Sequence, residues 1–114
     1  MVDVKTFRSL ALAFDEAEEQ PHFENPSFRI RKKIFATLNI KLNRACLKLS
    51  LIDQSVFSEA DNTIIYPVPG KWGKQGWTWV ELKKVRKDLF KDALTTAYCT
   101  VAPKKLAARY QPKP

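Results

Sequence analysis

The first apolar positions of the chain recur with the period of an amphipathic helix. They lie three or four residues apart, at Val4, Phe7, Leu10, Ala11 and Phe14. Asp3 precedes them, and a short acidic side chain there can cap a helix by accepting a hydrogen bond from a free backbone N–H group. We therefore predict a helix over residues 3–13 that packs on a sheet. The acidic residues 15–25 lack this period and precede Pro26, which favours extended or loop structure.

A strand-like alternation of apolar and polar residues begins at Phe28. Phe28 and Ile30 alternate with arginines, and a second alternating run follows after a short basic stretch, through Ile34, Ala36, Leu38 and Ile40. This pattern predicts a β-hairpin with a basic tip. A third strand is expected over residues 45–49, after a turn near Asn43, and the sheet is expected to be antiparallel.

The second half of the chain mixes helical and strand periods. Ser50 followed by Asp53 resembles a capping box, and it predicts a short helix with one apolar stripe, formed by Ile52, Val56 and Phe57. Strands are predicted over residues 63–68 and 77–82, a long helix over residues 85–101, and a last helix from Pro103 to Tyr110. Residues 111–114 are expected to fray. At 114 residues, the pattern predicts one α+β domain over residues 1–114.

The segment between the two later strands has an unusual composition. All three glycines and all three tryptophans of the chain fall between Gly70 and Trp79. Glycines allow positive φ and close approach of the backbone to a partner, while lysines and indoles supply charge and stacking faces. We interpret the segment as a contact surface for an anion with flat rings, and nucleic acid is the leading candidate. The alternative is that Trp72 and Trp77 pin the loop to the body of the domain.

Strand periodicity assigns the tryptophans near this segment to a face. If Thr78, Val80 and Leu82 face the core, then Trp77 and Trp79 lie on the opposite face of the sheet. Exposed indoles there can stack on nucleic-acid bases or anchor a protein interface. A protein- or small-ligand-binding module without any nucleic-acid role is therefore the alternative function.

The charge of the chain is distributed unevenly. Residues 1–24 hold six acidic and two basic residues, a net charge of −4. Because the whole chain has a net charge of +8, the remaining residues carry a net charge of +12. A basic body with an acidic entry segment attracts polyanions to one side. Two basic turns concentrate the candidate contacts, and together with the tryptophans they give the predicted nucleic-acid-binding residues: Arg31, Lys32, Lys33, Lys71, Trp72, Lys74, Gln75 and Trp77. Binding through them is expected to be mostly electrostatic and of low sequence specificity, whereas solvated turns that only aid solubility are the alternative.

Several classes of site have no support in the sequence. Cys46 and Cys99 show no metal-ligand spacing, His22 is the only histidine, and the known nucleotide-binding and hydrolase motifs are missing. The acidic cluster around His22 is expected to be solvated charge. We therefore predict no catalytic residue, no metal, no cofactor and no enzymatic activity. No apolar run reaches bilayer length and the N-terminus lacks a signal pattern, so a cytoplasmic protein with no membrane partner is expected.

Several short motifs resemble the MmcQ/YjbR family over nearly the whole chain, from about residue 7 to residue 110. They are residues 21–28 (PHFENPSF), 33–38 (KIFATL), 47–50 (LKLS), 74–77 (KQGW) and 94–98 (LTTAY). The resemblance implies a CyaY-like α+β fold, an antiparallel sheet with helices packed on one face. It also implies a DNA-binding protein with a double-wing arrangement, in which Lys74 and Trp77 match the family's Lys and Trp. Gly76 and Thr78 replace the His and Asn that many members place beside that Trp.

Overall fold

The computed structural model describes residues 1–110, which form six strands and five helices. Their order is α1 (Val4–Leu12), β1 (Ala17–His22), β2 (Asn25–Ile30), β3 (Lys33–Asn39), β4 (Arg44–Lys48), α2 (Leu51–Ala60), β5 (Ile65–Pro67), α3 (Lys71–Lys74), β6 (Trp77–Glu81), α4 (Lys87–Val101) and α5 (Lys104–Ala107). The expected α+β class is confirmed. The expected fraying of residues 111–114 lies outside the described residues.

All six strands join one antiparallel sheet in the order β1-β2-β3-β4-β6-β5. Helices α1 and α4 cover one face of it, and the core lies between them and the strands. The largest buried side chains in this layer are Phe7, Phe28, Phe35, Phe90 and Tyr98. Burial of these aromatic rings stabilises the fold, because each removes a large apolar area from water. Within residues 1–110, no helix lies over the centre of the other face, where β3, β4 and β6 border a pocket instead.

The helix caps follow the predicted pattern. The Asp3 carboxylate accepts a 2.7 Å hydrogen bond from the backbone N–H of Thr6, and the Ser50 hydroxyl accepts one of 3.1 Å from that of Asp53. The predicted apolar stripe of α2 is wrong, however. Ile52 and Val56 are 77% and 61% exposed, and Phe57 is only partly buried.

Gln54 takes the inward position on α2 that the apolar stripe was expected to occupy. Its side chain is only 7% exposed. Helix α2 lies beside β5 and β6, where backbone oxygens face it and a hydrogen-bond donor meets them better than an apolar side chain does. The hydrogen bonds of Gln54, together with the packing of Phe57 against the core, therefore orient this helix.

The acidic segment expected to be extended or loop structure contains strand β1. This strand pairs with β2 along its whole length, from Ala17 opposite Ile30 to His22 opposite Asn25. It forms an edge of the sheet and all but its first residue are exposed, so it needs no apolar alternation. Charged residues and a proline on an edge strand also discourage pairing with other chains.

A β-bulge between β2 and β3 changes the face of one predicted core residue. The register shifts between Phe28 and Arg29, so that Phe35 and Ala36 both enter the core. The expectation that Ile34 shares a face with Ala36 is therefore wrong. Ile34 pairs with Arg29 and lies on the open face of the sheet.

Candidate nucleic-acid interface

The open face of the sheet carries a concave apolar pocket of about 220 Å³. The predicted faces of β6 are confirmed, since Thr78 and Val80 are buried in the core and the two tryptophans of this strand point the other way. The pocket is lined mainly by Ile34, Thr37, Cys46, Trp72, Trp77 and Trp79. His22 and Val68 also border it. The β-bulge that turns Ile34 outward therefore helps to build this pocket.

The three tryptophans have different environments. The Trp72 side chain is 60% exposed, and it is the only exposed tryptophan of the described residues, because Trp77 and Trp79 are partly buried. The Arg44 guanidinium carbon lies 3.8 Å from the ring centroid of Trp79, and the Lys48 ammonium lies 5.4 Å from that of Trp77. Both distances permit cation–π attraction, which stabilises such pairs by about 0.5–1 kcal/mol at exposed sites. Trp72 is thus the ring left available to a partner.

A polar cluster that was not predicted from the sequence fixes Arg44 beside this pocket. Arg44 Nη1 donates a 3.1 Å hydrogen bond to the Tyr66 hydroxyl, which in turn donates to Glu81. The Arg44 and Glu81 charges are 3.9 Å apart. Burial, followed by the bond to Glu81, raises the pKa of Tyr66 above its usual value. The alternation of side chains along the strands was the sequence signal that could have indicated this cluster. It puts Arg44, Tyr66 and Glu81 on the same face of the sheet as Trp79.

The glycines of the tryptophan segment serve the packing of the chain itself. A Cβ atom on Gly73 would lie 1.9 Å from the carbonyl oxygen of Val68, and one on Gly76 would lie 1.9 Å from that of Leu49. Close approach to a partner, the interpretation drawn from the sequence, is therefore wrong for these two glycines. They are required because neighbouring backbone passes too close for any side chain.

Gln54 ties the tryptophan segment to the sheet. Its amide nitrogen Nε2 lies 3.0 Å from Gly73 O, 3.1 Å from Trp77 O and 3.1 Å from Thr78 Oγ1. The short helix α3 and the start of β6 are thereby held together from the helical side of the sheet. The anchor of the loop is this buried amide and not the exposed Trp72.

Both basic turns emerge from the same end of the sheet. Residues 31–32 join β2 to β3 beside Lys33, and the pairing of Lys48 with Trp77 and of Pro67 with Thr78 puts residues 68–76 at that same end. Arg31 and Lys32 have φ of 48° and 71°, as in the turns that match the twist of a two-residue hairpin. Strands in a sheet lie about 4.8 Å apart, so the midpoints of the two hairpins are separated by roughly 14 Å.

The basic residues at this end are not equally free. Arg31 Nε lies 3.1 Å from Glu16 Oε1, and this hydrogen bond raises the pKa of Arg31 and lowers that of Glu16. The remaining predicted contacts apart from the tryptophans are all exposed to solvent. They are Lys32, Lys33, Lys71, Lys74 and Gln75. Within residues 1–110, none of these four lysines lies within ion-pair distance of an acidic group. The lysines are therefore the better candidates for phosphate contacts, because Arg31 already has an anionic partner.

The thiols have environments that oppose nucleophilic chemistry. Burial raises the pKa of Cys46 to about 11 and also raises that of Cys99. Since the thiolate is the reactive form, both side chains are poor nucleophiles near neutral pH. In the described part of the chain, no three His, Cys, Asp or Glu side chains are grouped as metal ligands. No helix within residues 1–110 has both the length and the apolar character of a membrane span.

Comparison with known proteins agrees with this architecture. The sequence profile of the YjbR family matches residues 12–100. The structure is similar to the crystal structure of Deinococcus radiodurans protein DR2400, described as a DUF419 domain, with a TM-score of 0.79 and 20% identity over 96% of this chain and 88% of that chain. No significant match was found among curated proteins. The profile match spans most of the chain, and we conclude that the protein belongs to the YjbR family, as its motifs predicted.

Proposed function

We propose that this protein is a non-enzymatic DNA-binding protein that holds the sugar-phosphate backbone with two basic turns and reads little sequence. The observation that carries the proposal is the common location of these turns at one end of the sheet. Each turn offers two exposed lysines, Lys32 and Lys33 in one and Lys71 and Lys74 in the other. Lysines suit this role because a flexible ammonium donates to phosphate oxygens without selecting a base.

The spacing of the turns fits the dimensions of nucleic acid. Ideal strand spacing puts the two hairpins roughly 14 Å apart where they leave the sheet, and this distance is comparable with the width of the major groove of B-DNA, about 12 Å. The two turns can therefore contact phosphates on the two sides of one groove. Residues 1–24 have a net charge of −4, and Glu16 of this segment already pairs with Arg31 in the first turn. A polyanion is therefore attracted mainly to the four exposed lysines of the two turns. Gln75, beside Lys74, is the neutral side chain available to a base edge.

A salt-dependent binding titration tests this proposal. Binding of a labelled duplex is measured by fluorescence anisotropy at several salt concentrations, for the wild type and for the double variant Lys71→Ala/Lys74→Ala. Each lost phosphate contact lowers the slope of log K against log salt by about 0.9, so the double variant should lose about 1.8 from the magnitude of its slope.

The matched control is Lys104→Ala/Lys105→Ala, which removes the same charge from two exposed lysines at the start of α5. This variant should bind nearly as the wild type does. An equal loss in both double variants would mean that net charge matters and the turns do not. Absence of binding to both duplex and single-stranded DNA at low salt would refute the proposed function itself.

A protein- or small-ligand-binding module is the second candidate, and the apolar pocket with its exposed Trp72 favours it. Exposed indoles in concave apolar surroundings are frequent anchors of interfaces. Such binding would resist salt, and it would be lost in Trp77→Ala but retained in Lys71→Ala. A pulldown performed at low and high salt with these two variants separates this function from DNA binding.

A further inference from the structure

We propose that the pocket on the open face receives one unpaired nucleobase of a bound DNA strand, stacked on Trp72. This inference rests on the proposed function, which requires only phosphate contacts at the two turns. It adds a preference for strands that have a base free to leave the helical stack. The occupant of the pocket is thus a single base, and the adjoining phosphates lie against the lysines around it.

The dimensions of the pocket suit one flat ring system. Its volume of about 220 Å³ is below the roughly 300–1,000 Å³ of pockets that hold drug-sized ligands, so it suits a ligand as small as a single base. Trp77 and Trp79 form part of its lining with cations against their rings, which leaves the 60% exposed indole of Trp72 as the stacking surface. Stacking on an aromatic side chain tolerates any base, because every base has a flat face.

The pocket also offers polar groups for the edge of a base. Thr37 and His22, which carry a hydroxyl and an imidazole, are among its lining residues. Within residues 1–110, neither side chain makes a hydrogen bond to another protein group. A purely aliphatic ligand would leave these groups without partners, whereas the edge of a nucleobase carries both donors and acceptors.

The charges near the pocket complement a nucleic-acid backbone. Lys48 borders Trp77, and Lys71 and Lys74 flank Trp72 in the short helix α3. The nearby acid Glu81 is bonded to Tyr66 and faces Arg44, so its charge is already compensated. These lysines supply positive charge near the pocket for the phosphates of the bound strand. A base within a duplex must first be unstacked and unpaired, so single strands should bind more tightly than duplexes of equal charge.

Matched oligonucleotides test the inference. The probes are an oligothymidylate of about ten nucleotides, within the usual site size of single-strand binders, and an abasic sugar-phosphate strand of the same length. Both carry the same phosphates, so only a base contact separates them. The wild type should bind the thymidine strand about 5- to 150-fold more tightly, and the change in tryptophan fluorescence should be larger with that strand.

Two variants identify the contact. Trp72→Ala should bring the two affinities together, and because the Trp72 side chain is exposed, its removal leaves the core intact. Thr37→Val, which keeps the shape of the side chain, should reduce the thymidine preference without affecting the abasic strand. Lys71→Ala is the control, and it should weaken both strands by the same factor.

The outcomes of these binding titrations separate the base pocket from the proposed function. Equal wild-type affinity for both strands would overturn the base pocket while leaving the proposed phosphate contacts intact. A thymidine preference that survives in Trp72→Ala would likewise overturn the assignment to this pocket. Failure to bind either strand or a duplex at low salt would overturn the proposed function and the inference together.

Discussion

Replacing Gln54 by leucine should destabilise the fold by about 2 kcal/mol. The amide nitrogen of Gln54 has two N–H groups and lies close to three acceptors, Gly73 O, Trp77 O and Thr78 Oγ1. Both backbone oxygens keep another partner in the variant, since Gly73 O accepts from Gly76 N and Trp77 O accepts from Val68 N. The cost is therefore that of two hydrogen bonds at about 1 kcal/mol each, without the full penalty of orphaned buried groups.

Chemical denaturation followed by circular dichroism measures this change. Leucine has nearly the volume of glutamine, so the free energy of unfolding reports the hydrogen bonds and not a cavity. Hydrogen exchange should also become faster at the amides of residues 70–76, because their tie to α2 is lost. The control is Ser55→Ala, an exposed neighbour on the same helix, which should remain within about 0.5 kcal/mol of the wild type. A change of that small size in Gln54→Leu would refute the anchoring role of the amide.

Two further predictions concern backbone packing and the pocket thiol. Gly76→Ala should destabilise the protein far more than Gly70→Ala, as measured by thermal unfolding. Both glycines have positive φ, but only at Gly76 would the added Cβ meet another atom, the carbonyl oxygen of Leu49, at 1.9 Å. Equal losses of stability in the two variants would contradict this close approach. Cys46 should react with iodoacetamide at pH 8 about a hundredfold more slowly in the native protein than after denaturation, because burial raises its pKa from 9.0 to about 11 and leaves less thiolate. Labelling with mass-spectrometric readout checks this rate, and similar rates in both states would show that the thiol is not shielded.

Predictions from local sequence succeeded where neighbouring residues decide the structure. The cap at Asp3, the hairpin after Phe28 and the two faces of β6 each follow from side chains a few positions apart, and all three are present. Strand β1 was not predicted as a strand. Its pairing with β2 stabilises it at the edge of the sheet, and a solvated edge leaves no apolar alternation in the sequence.

Predictions failed where the decisive partner is distant in the chain. Ile34 faces outward because of a bulge in its pairing with β2, and Gln54 is buried because acceptors about twenty residues later lie beside it. Gly73 and Gly76 stood out in the sequence, but the backbone segments that require them, near Val68 and Leu49, are known only once the strands are placed.

The candidate site was predicted in its composition and not in its shape. The sequence identified the basic turns and the tryptophans, and whether the named side chains contact nucleic acid remains a prediction. Arg44, Tyr66 and Glu81 were missed. Their residue types are common on any strand surface, and only the sheet brings them beside Trp79.

By itself, the sequence determined the location of the long helices and of most strands, the caps of α1 and α2, the uneven charge and the family. These properties depend on residue types and on spacings of a few positions, and the unfolded chain already contains both. The tertiary structure alone decided the strand order, with β6 between β4 and β5, the orientation of α2 and the existence of the pocket. Those features depend on which distant segments share a core, and that choice reflects the burial and hydrogen bonding of the whole domain rather than any local pattern.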